Sequence, residues 1–370
     1  MHLVLFIMLV IPIVSSGQDL SRLEIMFYNV ENLFDTVHDE GKDDWTFLPD
    51  ALKEKKAQCK QIKNNYYQNR CFKTDWTNEK LEIKLSNIRD VIARGQKNIP
   101  DFLGLCEVEN AQVVKMLADK VGYKKIIVAN GPDERGIDVA LLFREHEKIQ
   151  YISHQEHELK GKSFKSKPTR TILEVNFVIN RIHSLSILVN HWPSQANPSA
   201  SRIIAAQKVM EIVAQKTKKN SRQGIIVMGD FNTVSTDYPH PFSEVILKTG
   251  VLVDLHSKYM ETKRISREEK ASLPGGTYFY SKDMSWSLLD RFFITKNLFK
   301  NKKFSVSLKS YQIYTPDFIK DEFTYEQAGY NKGIKILGVP KIYNFETQHE
   351  KEAGYSDHFP IRFSLNLQSQ

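Results

Sequence analysis

Five apolar runs in this chain carry acids, amides or imidazoles at one end. "EIMFYNVEN" closes on Asn29, Glu31 and Asn32, and "FLGLCEVEN" on Glu107. "SILVNHWPS" brings Asn190 and His191, and "IIVMGDFN" brings Asp230 and Asn232. In "GYSDHFPIRF", Asp357 and His358 precede an apolar run. One polar strand end is ordinary loop chemistry. Five of them, if their strands share sheets, gather at one rim, where layered α/β folds build sites.

The residue types make a coherent set. Glu107, with Asn29 and Asp357 in support, offers hard oxygen ligands suited to Mg²⁺ or Mn²⁺, ions that keep several waters and accept phosphate oxygens. His191 and His358 are two proton-transfer groups able to serve as acid and base on opposite sides of a reacting phosphorus. Asp290, in "SLLDRFFIT", is an acid inside an apolar strand. A carboxylate there needs a partner, and an imidazole N–H would supply one while being oriented by it. The chain has no CxxC, HExxH, GxGxxG, Walker lysine loop or GxSxG elbow. Structural zinc, dinucleotide, nucleoside-triphosphatase and serine-hydrolase chemistries therefore lose their usual entry points.

The elements that must hold these groups alternate. Short apolar runs predict strands at Glu24–Asn29, Phe102–Cys106, Lys125–Ala129, Val139–Phe143, Ile172–Val178, Leu185–Asn190, Ile225–Met228, Leu289–Ile294 and Phe359–Phe363. Helices are expected at Asn78–Arg94, Ala111–Lys120, Ser201–Ala214 and near Phe242–Lys248. Helices that fall between strands indicate layered α/β architecture with mixed sheets. Asp39–Thr77 follows neither period and reads as an inserted surface excursion, and Lys309–Thr347 reads as a long irregular connection.

The 370 residues are 41% hydrophobic, enough for a substantial core and inconsistent with a disordered chain. The net charge of +8 and isoelectric point near 9.1 favour anionic partners, nucleic acid above all. Residues 1–17 read as a secretory signal peptide: a continuous apolar stretch from Leu3 to Val14, then Ser15, Ser16 and Gly17. The other reading, a membrane anchor, needs a longer span. A secreted or periplasmic product with no membrane association after cleavage near Gly17 is expected, with residues 18–370 as one catalytic domain carrying the 39–77 insertion. In an exported chain Cys59 could pair with Cys71, leaving Cys106 a buried thiol; three reduced cysteines are the alternative.

Taken together, "NVENLF", "LGLCEVEN", "RGIDVALLF", "VNHWPS", "VMGDFN", "LLDRFFIT" and "YSDHFPI" resemble the endonuclease/exonuclease/phosphatase superfamily, which includes deoxyribonuclease I. The resemblance implies a four-layer α/β sandwich of two packed mixed β-sheets with a metal-dependent rim site. It implies Mg²⁺ or Mn²⁺, with Ca²⁺ a further candidate, held by Asn29 and Glu107 and joined through water by Asp357. His358, oriented by Asp290, would activate the attacking water, and His191 would protonate the leaving oxygen. Asp230 and Asn232 match the pair that positions the nucleophile and binds the scissile phosphate, and Arg170 matches an arginine that contacts phosphate. Trp192 offers a wall for base stacking, and Tyr278 in "PGGTYFY" is placed to touch the substrate. Glu31 is open between a ligand-supporting acid and a solvated one, while Asp138 is expected to brace the rim through backbone or Arg135. A monomeric endonuclease of low sequence specificity acting on nucleic acid, DNA in the first place, is the expected function. A sphingomyelinase-type or inositol-type phosphoesterase is the alternative.

Overall fold

In the computed structural model, residues 21–96, 99–164, 167–326, 331–347, 349 and 352–368 are described. The apolar stretch expected to be a signal peptide lies outside them. The first half of the chain forms β1 (Arg22–Leu33), α1 (Lys55–Cys59), α2 (Asn65–Lys73), α3 (Asn78–Ala93), β2 (Phe102–Val108), α4 (Ala111–Val121), β3 (Lys125–Val128) and β4 (Asp138–Phe143). There follow β5 (Ile149–His157), β6 (Ile172–Ile179), β7 (His183–His191), α5 (Ser199–Lys219), β8 (Gly224–Asp230), β9 (Leu252–Asp254), α6 (Leu255–Glu261) and α7 (Arg267–Ala271). The last part holds β10 (Tyr278–Tyr280), β11 (Ser285–Ser287), β12 (Asp290–Thr295), α8 (Asn297–Lys300), β13 (Phe304–Ile313), β14 (Lys320–Thr324), β15 (Lys335–Pro340) and β16 (Ile361–Leu367).

Runs such as "DVALLF" and "GIIVMGD" are buried along their whole length. That explains why they read as unbroken apolar stretches rather than alternations: each strand is covered on both faces. One six-stranded sheet has the order β13-β16-β1-β2-β4-β3, the other β5-β6-β7-β8-β12-β9. Each sheet has one parallel pair, β1 with β2 and β7 with β8, among antiparallel neighbours. The sheets share a core in which Phe27, Leu105, Met228 and Phe363 are wholly buried. On the outside of the first sheet lie α3 and α4, contributing Leu85, Ile88, Val113 and Leu117. Ala205, Val209 and Val213 of α5 pack on the outside of the second against Val227 and Phe293. This is the expected four-layer sandwich.

The nine anticipated strands all belong to the two large sheets. The apolar pattern did not announce β5, a largely exposed edge strand, or the three-residue β9. It also missed β13, whose pairing with β16 shifts register between Ser307 and Gln312 and so breaks the alternation. The reading of Lys309–Thr347 as irregular therefore needs correction. It contains the end of β13, the β14–β15 hairpin, and Tyr343 and Phe345, which are buried in the core.

The 39–77 excursion is likewise more than surface. The Cys59–Cys71 disulfide forms and joins α1 to α2, while Cys106 is a buried free thiol. Phe47, Leu48 and Trp76 are buried, and the Trp76 indole donates to the Phe34 carbonyl at 3.1 Å. The buried Lys55 ammonium donates to the carbonyls of Leu48 and Thr74, holding the two ends of the insertion together. Among the described residues no helix is long and apolar enough to cross a membrane.

Candidate active site

Strand register assembles the site. Across the second sheet, His191 on β7 lies opposite Asp230 on β8, and Asp230 lies opposite Asp290 on β12, so three strands present one row of titratable groups. In the first sheet Asn29 of β1 pairs with Cys106 of β2, which sets Glu107 beside it. The Asn29 amide nitrogen then donates to Glu107 Oε1 at 3.2 Å and to Asp230 Oδ2 at 3.1 Å, joining the sheets at the rim. Gly229 is required where β7 and β8 run side by side: a Cβ there would lie 2.3 Å from the Asn190 carbonyl oxygen.

Four non-glycine residues at these strand ends adopt the left-handed backbone: Glu31 (φ 52°), Asn32 (57°), Glu107 (61°) and Asn232 (46°). Such conformations cost on the order of 1 kcal/mol or more each. Three of them turn a backbone N–H back on the site. Glu31 donates to Asn29 Oδ1 at 3.0 Å, Asn32 to Glu107 Oε2 at 3.1 Å, and Asn232 to Asp230 Oδ1 at 2.9 Å.

The two histidines face one carboxylate. His191 Nε2 is 3.7 Å and His358 Nε2 3.9 Å from Asp230 Oδ2, and His191 Nε2 is also 3.8 Å from Glu107 Oε1. His358 Nδ1 bonds to Asp290 Oδ2 at 2.7 Å, the partnership expected for a buried strand acid. Burial by itself lowers the His358 pKa, but Asp290, then Asp357 and Asp230, outweigh it and hold the imidazole protonated well above its usual range. Burial pushes His191 the other way, with Arg170, Arg135 and His358 adding to the depression. Burial also raises Asp230, with Asp290 adding to it against the opposing charge of His358. In the protein alone, then, the surroundings favour the charged form of His358 and the neutral form of His191.

Asp357 comes to the same place. Its side chain is raised by burial and by Glu107, and its Oδ1 is buried without a partner. Its backbone N–H donates to Glu31 Oε2 at 3.0 Å, and the same oxygen accepts the Tyr343 N–H at 3.0 Å. Glu31 is thus a buried brace, not a solvated acid. Ser356 completes the corner by donating to the Asn29 carbonyl at 2.7 Å while accepting the His358 N–H at 3.1 Å. Lys84 of α3, wholly buried, lies 3.9 Å from the Tyr343 ring centroid, its pKa lowered to about 8 by burial against the pull of Glu31. Neither Lys84 nor Tyr343 was legible as part of this corner, because each looks like ordinary helix or connection composition.

Two expectations change. Trp192 cannot stack on a base through its ring: it is wholly buried against Phe231 (4.8 Å between centroids), and its indole N–H donates to Asn190. Its carbonyl oxygen matters instead, accepting from Arg170 at 2.6 Å and from the Asn232 amide at 3.2 Å. Arg170 is buried and committed to that carbonyl and to Asp133 at 3.3 Å, with Nε alone unpartnered. Its arrangement braces the turn after His191. Asp133, missed in the sequence, grips both Arg170 and Arg135. Asp138 braces the rim through the Gly131 N–H at 2.9 Å, not through Arg135. Tyr278 stands against His358, 5.0 Å between ring centroids.

The donor set suits a hard divalent cation. Glu107 and Asp230 converge on one amide group, and Asp357 has a free buried oxygen. Asp230 also belongs to two clusters of possible ligand atoms within 4.8 Å of one another, with Cys106 and His191 and with Asp290 and His358. Burial raises the Cys106 thiol well above its ordinary value.

A family model described as "Endonuclease/Exonuclease/phosphatase family" matches residues 60–367. No curated protein sequence matches the chain. Among solved structures it is similar to an endonuclease/exonuclease/phosphatase family protein from Bacteroides thetaiotaomicron, at 15% identity over 94% of this chain and 98% of that one, TM-score 0.51. It is similar to the mannosyl-6-phosphatase of B. thetaiotaomicron VPI-5482, at 15% identity over 93% and 99%, TM-score 0.50. It is similar too to the human nocturnin catalytic domain with bound sulfate anion, at 14% identity over 94% and 95%, TM-score 0.51. At these identities the likeness is one of fold.

Proposed function

The chain belongs to the endonuclease/exonuclease/phosphatase family, and from that premise we propose that it is an exported, divalent-metal-dependent phosphodiesterase cutting nucleic acid, DNA in the first place, by in-line attack of water. One observation carries the reading: two imidazoles whose Nε2 atoms lie 3.7 and 3.9 Å from the same Asp230 oxygen, one of them locked to Asp290. A phosphorus between them would have a proton acceptor on one side and a donor on the other.

In-line displacement builds negative charge on the non-bridging and leaving oxygens. His358, its ring fixed by Asp290, takes the proton of the attacking water. His191 delivers a proton to the leaving oxygen. The Asn232 amide, which gives one N–H to the Trp192 carbonyl, donates its other to a non-bridging oxygen, a contribution of about 2–4 kcal/mol for a donor of this kind. Arg170 and Asp133 keep His191 in register by holding the Trp192 carbonyl. Glu107 and Asp357, with Asn29 once its amide oxygen turns from the Glu31 N–H, would hold Mg²⁺ or Mn²⁺, with Ca²⁺ a further candidate. Bound there, the cation would supply charge neutralisation, offsetting the carboxylate field around His358. An anionic phosphate beside His191 favours its protonated form, as the role of acid requires.

The positive charge of the chain supports a polyanionic substrate, and the Cys59–Cys71 disulfide supports export. A phosphomonoesterase is the competing reading, favoured by the likeness to a mannosyl-6-phosphatase. The test is incubation of the protein with Mg²⁺ or Mn²⁺ on supercoiled plasmid, sphingomyelin, inositol phosphates and mannose 6-phosphate, beside EDTA and His191→Ala controls. Plasmid nicking abolished by both controls is expected. Turnover of a lipid or monoester without nicking would replace the nuclease reading.

A further inference from the structure

The insertion between β1 and α3 does more than cover the core. Asn64 caps α2 by accepting the N–H groups of Tyr66 and Tyr67 at 3.0 and 3.3 Å, and the Cys59–Cys71 disulfide clips the helix to α1. The two tyrosines it fixes are 69% and 56% exposed, and their rings meet edge to face at 5.3 Å. Single exposed aromatics are unremarkable in a protein surface. An exposed pair held on a stapled helix and packed on each other is a different arrangement.

Its position relates it to the site. Arg70, one turn beyond Tyr67, lies over the rings of Phe47 (5.3 Å) and Phe345 (4.9 Å), next to Tyr343, whose N–H binds Glu31. On the other side, the start of the insertion is bonded to the loop that follows β3. The Asp43 N–H donates to the Glu134 carbonyl at 2.7 Å, and Lys42 Nζ to the carbonyls of Gly131 and Asp133. Arg135 in that loop is half-exposed, is held by Asp133 at 2.9 Å, and stays charged against burial through Asp133, then Glu107 and Tyr67. Arg135 shares Asp133 with Arg170, which donates to the Trp192 carbonyl beside His191, so it stands at the rim of the site.

We propose that Tyr66 and Tyr67, flanked by Arg70 and Arg135, form a subsite that stacks a nucleobase of the substrate strand beside the scissile phosphate. Aromatic faces bind bases of any identity, and guanidinium groups beside them take the neighbouring phosphates or add cation–π contact. Charge complementarity selects this occupant: the two arginines and the net charge of +8 suit a polyanion that also carries planar rings. The subsite deepens the nucleic-acid reading and rests on it.

The experiment compares the full protein with Tyr66→Ala/Tyr67→Ala and with Tyr66→Phe/Tyr67→Phe on two single-stranded oligonucleotides of equal length, one normal and one abasic at the positions flanking the cut. The double alanine variant should raise KM for the normal strand by roughly ten- to a hundredfold, the range set by losing stacking on one base, with kcat little changed. It should leave the abasic strand unaffected, and the phenylalanine pair should behave as wild type. Thermal unfolding of each variant separates this from a folding defect. Equal cutting of the normal strand by wild type and the alanine variant overturns the subsite and leaves the nuclease reading intact. An equal loss on both strands overturns it too, since the contact would not be to a base. No cleavage of either strand by a wild-type protein that nicks supercoiled plasmid overturns the subsite alone, and failure to nick plasmid as well removes both readings.

Discussion

Asp290 is wholly buried, and its Oδ1 has no partner, so its charge is expressed through the 2.7 Å contact to His358. Replacing it with asparagine keeps the shape and removes the charge. In metal-free Asp290→Asn the His358 imidazole should titrate at lower pH than in wild type, because the carboxylate that raises it is gone; an NMR titration of the ring reads this directly. Nicking should fall roughly 10²–10⁴-fold, the usual worth of a positioned proton-transfer group. An unmoved His358 titration would break the proposed pairing. At this scale the residue types were legible because a buried acid in an apolar strand demands a partner. The working part of Trp192 was not. Whether a side chain offers its ring or its carbonyl depends on how the chain turns after β7, and here the indole turns into the core against Phe231.

At the scale of elements, strand spacing sets the distance between the two rows of chemistry. Gly229→Ala would drive a Cβ into the Asn190 carbonyl, and because both atoms belong to backbone the strands must part. A stability loss of about 1–3 kcal/mol is expected from such overpacking, with reduced nicking because His191 moves from Asp230. Unchanged denaturation and activity would show that the contact is not limiting. Helix α5 is tied to its sheet through Glu174 of β6, which accepts from His157 at 2.9 Å and Asn176 at 2.8 Å and pairs with Lys216. Against burial, these partners hold Glu174 at about 2 instead of 4.5. A carboxylate depressed on folding contributes stability above its unfolded value and loses it as the pH falls through the folded one. Glu174→Gln should therefore be less stable than wild type at pH 6 and approach it as the pH falls from 4.5 towards 2. A constant difference in urea unfolding across that range would contradict the assignment. Among the elements, buried strands were readable and edge strands were not: β5 faces solvent, and the bulge in β13 breaks its period.

For the whole molecule, the proposed polyanionic partner fixes how binding must respond to salt. Affinity for a single-stranded oligonucleotide should fall steeply, by orders of magnitude, between roughly 50 and 200 mM salt if several phosphates are neutralised. Binding that ignores ionic strength would separate the net charge from function. The sequence by itself determined the layered α/β class, nine of the twelve strands of the two large sheets and the polar groups that end them, because burial and side-chain chemistry are local properties of a run of residues. Only the tertiary structure decided that Asn29 bridges Glu107 and Asp230, that Glu31 ties Tyr343 to Asp357, and that Arg70 of α2 lies over Phe345. Those relations join residues from distant parts of the chain, and the distance between such residues is set by how two sheets and an insertion pack, which no local pattern encodes.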